Sequence, residues 1–290
     1  MTPQHSLAAN RRGIACISAA MVCFVVNDTL MKKLGESVPL PQLIVLRGVV
    51  AVLLVLAAAR VTGELRELPL VADRRVVLRS VIDAAGSLLF LASLMHLPLA
   101  NATAINLSAP LTMALVAVCF LGERPGLARW LAIVSGFAGV LLIVQPAAAG
   151  FNAWSLLCLA ATMLHAVRDL LTRGIPRGIP SVMVTLSTAL AVTLLAGLLS
   201  LVEGWQPFGA RHLGLLAVAS IFLCGGYYLV ILCMREGDVS VIAPFRYTSL
   251  LFALVIGWLV WGDVPNVLAW CGIGVLLVSG LAMLRSARAG

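Results

Sequence analysis

Charged side chains lie inside long apolar segments of this sequence, and their types could do chemistry there. Six of them are candidates for a functional role: Asp28, Arg47, Arg79, Asp83, Asp169 and Arg246. A charge at the centre of a bilayer costs about 2.5–3.5 kcal/mol on insertion scales, so each one needs a partner or a use. A carboxylate could carry a proton or meet an amine, and a guanidinium could hold a carboxylate through its planar fork.

Two of the carboxylates are followed four residues later by a cation. Lys32 follows Asp28, and Arg173 follows Asp169. Residues four apart lie on one face of a helix, where an acid–base pair is an ordinary stabilising device. Two interpretations of Asp28 stay open: a structural ion pair, or a site for a coupling proton or a substrate amine.

Arg79 and Asp83 have the same spacing, and Asp83 lies about 12 Å into its segment by helix rise. Gly86 and Phe90 continue the face of Asp83, which is therefore expected to point into the protein. This pair could be structural or functional. Arg47 has no acid near it in the sequence, and it could bond backbone carbonyls or an acid on another helix.

Arg246 comes just after Pro244, whose ring frees a backbone carbonyl and bends a helix, and Tyr247 follows directly. A guanidinium beside a helix break could grip a carboxylate-bearing solute. The alternative is a structural ion pair of Arg246 with Asp83 or Asp28.

Polar and aromatic side chains supply further candidates for contact with a solute. The predicted substrate contacts are Phe90, Thr103, Asn106, His165, Tyr227, Tyr228, Arg246 and Tyr247, with helix breaks at Pro110 and Pro244. The spacing of Thr103, Asn106 and Pro110 puts them on one stripe of a helix. Tyr227 and Tyr228 lie in mid-segment, where anchoring at the membrane interface cannot explain them.

Packing is the alternative explanation for several of these residues. His165 could be a hydrogen-bonded packing residue, and Gly225-Gly226 could permit the close approach of two helices. The tryptophans near segment ends are typical of an interfacial aromatic belt.

The composition requires a membrane around these segments. The chain is 61% hydrophobic and 11% charged, whereas a soluble domain carries about 25% charged residues. Apolar runs long enough to cross a bilayer predict an all-α polytopic protein with ten transmembrane helices. The predicted spans are 13–32, 41–60, 76–96, 99–121, 127–146, 153–172, 181–202, 212–234, 239–261 and 266–284.

The positive charge is distributed unequally between the two sides of this topology. Thirteen of the 20 Lys and Arg residues fall on the side of the N-terminus, against Lys32, Lys33 and Arg211 on the other. This positive-inside pattern predicts that both termini are cytoplasmic, and it explains the net charge of +8 without a nucleic-acid partner.

One sequence pattern occurs twice, at an offset of 140 residues. Leu121-Gly122-Glu123-Arg124-Pro125 recurs as Trp261-Gly262-Asp263-Val264-Pro265. The fixed period predicts two copies of a five-helix unit, residues 1–146 and 151–290. Because five is odd, the second copy is inverted in the membrane, as in many secondary transporters. This plan predicts alternating access around a site near the midplane.

Other functions leave no trace in the sequence. The seven cysteines all lie within spans without a CxxC motif or a histidine cluster, which predicts neither a disulfide nor a metal site. No HExxH, GxSxG or Walker A run is present, so an enzyme is not expected. A channel would also use polar stripes, but inverted repeats with short loops favour a carrier.

These residues resemble the EamA-type ten-helix carriers of the drug/metabolite transporter superfamily. The resemblance rests on Pro110 with Leu121-Gly122-Glu123, on Ala243-Pro244-Phe245-Arg246-Tyr247 with Gly262-Asp263-Val264-Pro265, and on Arg47 and the Gly136/Gly139 pattern. It covers nearly the whole chain, and Asp263 stands where the first copy has Glu123.

The resemblance implies a multi-pass carrier of the bacterial inner membrane that exports small metabolites, amino acids first, including aromatic and large neutral ones. Riboflavin, S-adenosylmethionine or a cationic drug are the alternative solutes, and import is the alternative direction. An ion gradient, with protons as one candidate, or the solute's own gradient would drive transport. No cofactor is expected, and the protein is expected to be a monomer with its pocket between spans 1, 3, 4, 6, 8 and 9.

Overall fold

The structure is a computed structural model that describes residues 7–121, 126–145, 152–176, 178–236 and 242–289. The first copy of the repeated motif, at Gly122-Glu123-Arg124-Pro125, lies outside these ranges, as does the side chain of Arg173. The α-helices are α1 Leu7–Gly35, α2 Leu40–Thr62, α3 Arg74–His96, α4 Leu99–Asn106, α5 Ala109–Leu121, α6 Leu127–Val144, α7 Trp154–Arg173, α8 Ser181–Glu203, α9 Ala210–Glu236, α10 Thr248–Trp261 and α11 Val267–Ala289. Two 3-10 segments cover Glu64–Ala72 and Ala243–Tyr247.

Most of these helices are membrane-spanning in length and composition. Within the described residues, eight helical segments are long and apolar enough to cross a bilayer, and two shorter apolar helices cover Trp130–Val144 and Val267–Ala282. The protein is therefore a multi-pass membrane protein. The count of ten crossings and the inversion of the second copy stay predictions.

In the structure the predicted span 99–121 is divided into α4 and α5, and Pro110 lies in the first turn of α5. The chain leaves the helix between α4 and α5, where the Ser108 hydroxyl donates to the carbonyl oxygen of Ile105 at 2.6 Å. Pro110 explains the interruption, because proline has no amide proton to donate to the carbonyl four residues before it. In the ninth predicted span, Pro244 lies in the 3-10 segment Ala243–Tyr247, which directly precedes α10.

The chain divides into two compact units, and each unit draws on both sequence copies. The first unit comprises Met1–Thr29, Leu97–Ala153 and Ile221–Gly290, and the second comprises Leu30–His96 and Trp154–Ser220. Helices at equivalent positions of the two copies pack together within a unit. In the second unit α2 packs on α8, and in the first α4 packs on α10 and α6 on α11.

The contact between α6 and α11 depends on glycine. A Cβ atom on Gly139 would lie 2.8 Å from the carbonyl oxygen of Gly272, and one on Gly272 would lie 2.6 Å from that of Gly139. Small residues at such a crossing let two backbones approach closely in a membrane. The Ser135 and Ser279 hydroxyls share a hydrogen bond of 2.9 Å along the same contact.

Candidate functional site

Four charged side chains of the second unit form a continuous network, here called the α3–α7 ion-pair cluster: Arg79 and Asp83 of α3, and Arg168 and Asp169 of α7. The i,i+4 pair expected from the sequence is present, with Arg79 Nη1 at 3.0 Å from Asp83 Oδ2. Arg168 Nη1 lies 2.7 Å from Asp83 Oδ1, and Arg168 Nη2 lies 2.9 Å from Asp169 Oδ1. Two cations and two anions make the cluster neutral as a whole.

Arg168 is the residue of this cluster that the sequence did not single out. The sequence pointed to Arg173 as a partner of Asp169, because residues four apart share a helix face, and the side chain of Arg173 lies outside the described residues. In the structure Asp169 is paired with its neighbour Arg168, whose long side chain also reaches across to Asp83. The only sequence signal for Arg168 is its location as a charge inside an apolar segment.

Hydroxyl groups hold Arg79 from two neighbouring helices. Its Nε donates to the Thr172 hydroxyl of α7 at 3.2 Å, and its Nη1 donates to the Thr188 hydroxyl of α8. The Ser80 hydroxyl shares a further hydrogen bond of 3.2 Å with Thr188. The cluster therefore ties α3, α7 and α8 together through polar groups.

The four members of the network differ in burial. The exposed fraction of the side chain is 6% for Asp83, 14% for Arg79, 22% for Arg168 and 44% for Asp169. Breaking a buried ion pair by removing one partner costs about 3–5 kcal/mol, whereas an exposed pair contributes about 0–1 kcal/mol. Disrupting the Asp83 contacts is therefore more costly than disrupting the contact of Asp169.

An aromatic pair lies next to this cluster on the same two helices. The rings of Phe90 and His165 have centroids 6.4 Å apart at 54°, and His165 precedes Arg168 by one helical turn. A Cβ atom on Gly86 would lie 2.8 Å from Cδ2 of His165, so glycine makes room for the imidazole. The expected inward face of Asp83, Gly86 and Phe90 is buried in the structure.

The first unit contains a second aromatic pair, between Phe24 of α1 and Tyr227 of α9. The ring centroids are 5.3 Å apart at 72°, an edge-to-face arrangement that aromatic pairs prefer. The sequence did not single out Phe24. The neighbouring Tyr228 is exposed. The close approach expected of the Gly-Gly pair occurs at Gly226, where an added Cβ would lie 2.7 Å from Phe24 Cε1, whereas no described atom lies within 4 Å of an added Cβ on Gly225.

Gly226→Ala is expected to lower the free energy of unfolding by about 1–3 kcal/mol, because the new methyl group would displace the Phe24 ring. Gly225→Ala is the matched control, since none of the described residues has an atom within 4 Å of the position of its Cβ. Denaturation of both variants in mixed detergent micelles measures the difference. Equal losses in the two variants would contradict this account of the contact.

The remaining candidates of the first unit lie around its helix breaks. Arg246 is exposed in the 3-10 turn, and Asp83, one of its expected partners, is paired with Arg79 and Arg168. Tyr247 is buried, and its hydroxyl lies against the backbone of Gly280 in α11. Tyr247 therefore packs the turn onto α11, and its contact with a substrate stays a prediction.

The other charged and polar candidates lie on α1, α2 and α4. Asp28 accepts a hydrogen bond of 2.9 Å from the Asn27 side chain, and Arg47 is buried within α2. Thr103 is buried near the end of α4, and Asn106 is the last residue of that helix. For each of these four residues, a role in solute binding or ion coupling stays a prediction.

Comparison with known proteins identifies the family. The EamA-like transporter family matches residues 11–145 and again residues 152–285. The chain is 30% identical to a riboflavin transporter of Rhizobium johnstonii over 213 residues, 73% of this chain and 70% of that protein. It is 25% identical to the pseudopaline exporter CntI of Pseudomonas aeruginosa over 293 residues, 96% of this chain and 98% of that protein.

More distant similarities agree with this result. An S-adenosylmethionine uptake transporter of Rickettsia bellii is 22% identical over 212 residues, 73% of this chain and 72% of that protein. A protein of known crystal structure matches with a TM-score of 0.65 and 17% identity over 97% of this chain and 98% of its own, which supports the fold alone. Two successive family matches along a multi-pass helical chain show that this protein belongs to the EamA-like transporter family of the drug/metabolite transporter superfamily, and that it is a transporter and not an enzyme.

Proposed function

We propose that this protein is a secondary transporter of the bacterial inner membrane that exports amino acids, including aromatic and large neutral ones, by alternating access. The α3–α7 ion-pair cluster carries the proposal. Its two arginines and two aspartates balance within a few ångströms of one another. A zwitterionic solute offers one carboxylate and one ammonium group to such a cluster and adds no net charge to a buried site, where uncompensated charge is costly.

The predicted topology is supported by hydrogen bonds between chain segments within each unit. In the second unit Gln42 donates to the carbonyl oxygen of Gln206 at 3.0 Å, and Arg75 donates to that of Gly174 at 3.3 Å. With both termini cytoplasmic, the first of these contacts joins two outer ends and the second joins two inner ends. In the first unit the Gln145 amide donates to Asn266 at 2.8 Å, again between two predicted outer ends.

Flux into liposomes tests the proposal. The purified protein is reconstituted, and uptake of radiolabelled phenylalanine, methionine and threonine is measured with and without an imposed pH gradient. Saturable flux without the gradient supports a facilitator, and flux that needs the gradient supports proton coupling. Absence of amino-acid flux under both conditions would overturn the proposal.

Riboflavin is the second candidate solute, because the relative at 30% identity is a riboflavin transporter. Riboflavin has no carboxylate, so its recognition would depend on aromatic contacts and neutral hydrogen bonds. Saturable flux of riboflavin without flux of amino acids would identify riboflavin as the solute. S-adenosylmethionine is included in the same assay, since an uptake transporter for it is also related to this chain.

As an alternative to the cluster, the exposed guanidinium of Arg246 beside Pro244 could hold the solute carboxylate, and in that case Arg246→Ala is expected to abolish amino-acid flux. The variant should still elute as a folded monomer in gel filtration, since the lost side chain is exposed. Wild-type flux in Arg246→Ala would contradict the proposed contact between Arg246 and the solute.

A further inference from the structure

We infer that Arg168 binds the carboxylate of the transported solute in exchange for Asp169, which occupies that position when no solute is bound. This inference rests on the proposed function, because it names the residue of the α3–α7 ion-pair cluster that recognises the acidic end of an amino acid. The class of ligand is any small organic solute that carries a carboxylate.

The edge of the Arg168 guanidinium that faces Asp169 has the geometry of a carboxylate site. Nε lies 3.0 Å and Nη2 lies 2.9 Å from the same atom, Asp169 Oδ1. These two parallel N–H groups are the fork that binds a free carboxylate with one hydrogen bond to each oxygen. Asp169 presents a single oxygen to both donors, so a solute carboxylate can make the more complete contact.

The opposite end of the same guanidinium is held in place. Nη1 of Arg168 lies 2.7 Å from Asp83 Oδ1, while Arg79 contacts the other oxygen of Asp83 at 3.0 Å. Asp83 therefore keeps two cationic partners while the other edge of Arg168 changes its anion. The exchange replaces one carboxylate by another, so the charge around Arg168 does not change.

The surroundings of Asp169 allow it to leave. Its side chain is 44% exposed, whereas that of Asp83 is only 6% exposed. A half-exposed carboxylate has fewer protein contacts to lose than a buried one, so displacing Asp169 costs less than displacing Asp83 would. His165, one turn before Asp169, and Phe90 lie on the same pair of helices and could contact the side chain of an aromatic solute.

Two variants test the exchange through opposite effects. Asp169→Asn removes the competing anion, and it is expected to lower the Kd for phenylalanine at least about threefold while leaving the Kd for phenylalaninamide unchanged. Arg168→Lys keeps a cation near Asp83 but removes the planar fork, and it is expected to raise the Kd for phenylalanine about tenfold or more. Lys33→Gln serves as a control for the loss of a charge, because the Lys33–Glu36 ion pair is exposed.

Binding is measured by scintillation proximity with purified protein in detergent, with phenylalanine, phenylalaninamide and phenylacetate as the probes. This inference is overturned if both variants bind phenylalanine with the Kd of the wild type and prefer it over phenylalaninamide to the same degree. The amino-acid proposal would remain intact. Binding of phenylacetate that depends on Arg168, without amino-acid binding or flux, supports the inference and overturns the amino-acid proposal. Absence of binding for every carboxylate overturns both. If Arg168→Lys does not fold, Asp169→Asn decides alone.

Discussion

Asp83→Asn is expected to lower the free energy of unfolding by about 3–5 kcal/mol, because it removes the shared anion of two arginines inside the membrane. Asp83 is the most buried member of its cluster and contacts Arg79 at 3.0 Å and Arg168 at 2.7 Å. An amide oxygen can still accept a hydrogen bond, but it cannot balance the charge of two guanidinium groups. Transport should also be lost, because Asp83 would no longer hold Arg168 in position.

Equilibrium denaturation in mixed micelles, followed by circular dichroism, measures this effect. Asp169→Asn is the matched control, since it makes the same chemical change at the exposed end of the network and should cost about 1 kcal/mol or less. The proposed division into a fixed end and an exchangeable end would be wrong if the two variants lost equal stability. A loss larger for Asp169→Asn would reverse the assignment of the two ends.

Gly139→Ala is expected to cost about 3 kcal/mol, at the upper end of the range for overpacking, because the added Cβ would meet backbone. It would lie 2.8 Å from the Gly272 carbonyl oxygen and 2.9 Å from the Leu276 amide nitrogen. Side chains can rotate away from such a contact, whereas these backbone atoms can move only if α6 and α11 separate. The Ser135–Ser279 hydrogen bond would lengthen with that separation.

Gly274→Ala provides the comparison, because Gly274 lies on α11 and, within the part of the chain that the structure describes, no atom is within 4 Å of the position of its Cβ. Alanine is the better helix former by about 0.8–1.0 kcal/mol, so this variant should be neutral or slightly more stable. The same denaturation assay compares the two. Similar stabilities of Gly139→Ala and Gly274→Ala would mean that close packing of α6 on α11 does not stabilise the fold.

Local patterns in the sequence predicted much of the fold and part of the site. Apolar runs predicted the membrane-spanning helices, since their length and composition are read directly from the chain. Pro110 and Pro244 marked the two interruptions, because a missing amide proton acts on the adjacent turn. The pair of Arg79 and Asp83 was also predicted from a local pattern, because residues four apart on one helix are neighbours in any tertiary structure.

The sequence did not identify the contacts of the site that cross between helices. Arg168 neighbours Asp169 in the chain, and adjacent residues of a helix do not ordinarily face each other. The pairing of Arg168 with Asp169 becomes favourable because α3 packs on α7. This packing brings Asp83 within 2.7 Å of the Arg168 guanidinium. Phe24 was missed in the same way, since its partner Tyr227 lies on a helix distant in the sequence.

The amino-acid sequence alone determined that this chain spans a membrane, repeats one helical unit twice and carries paired charges within its helices. These properties follow from hydropathy, period and spacing, all of which act over a few residues or recur along the chain. Tertiary packing determined which helices share a unit, which carboxylate is buried and which guanidinium bridges two aspartates. Those outcomes depend on contacts between residues far apart in sequence, and no local pattern specifies them.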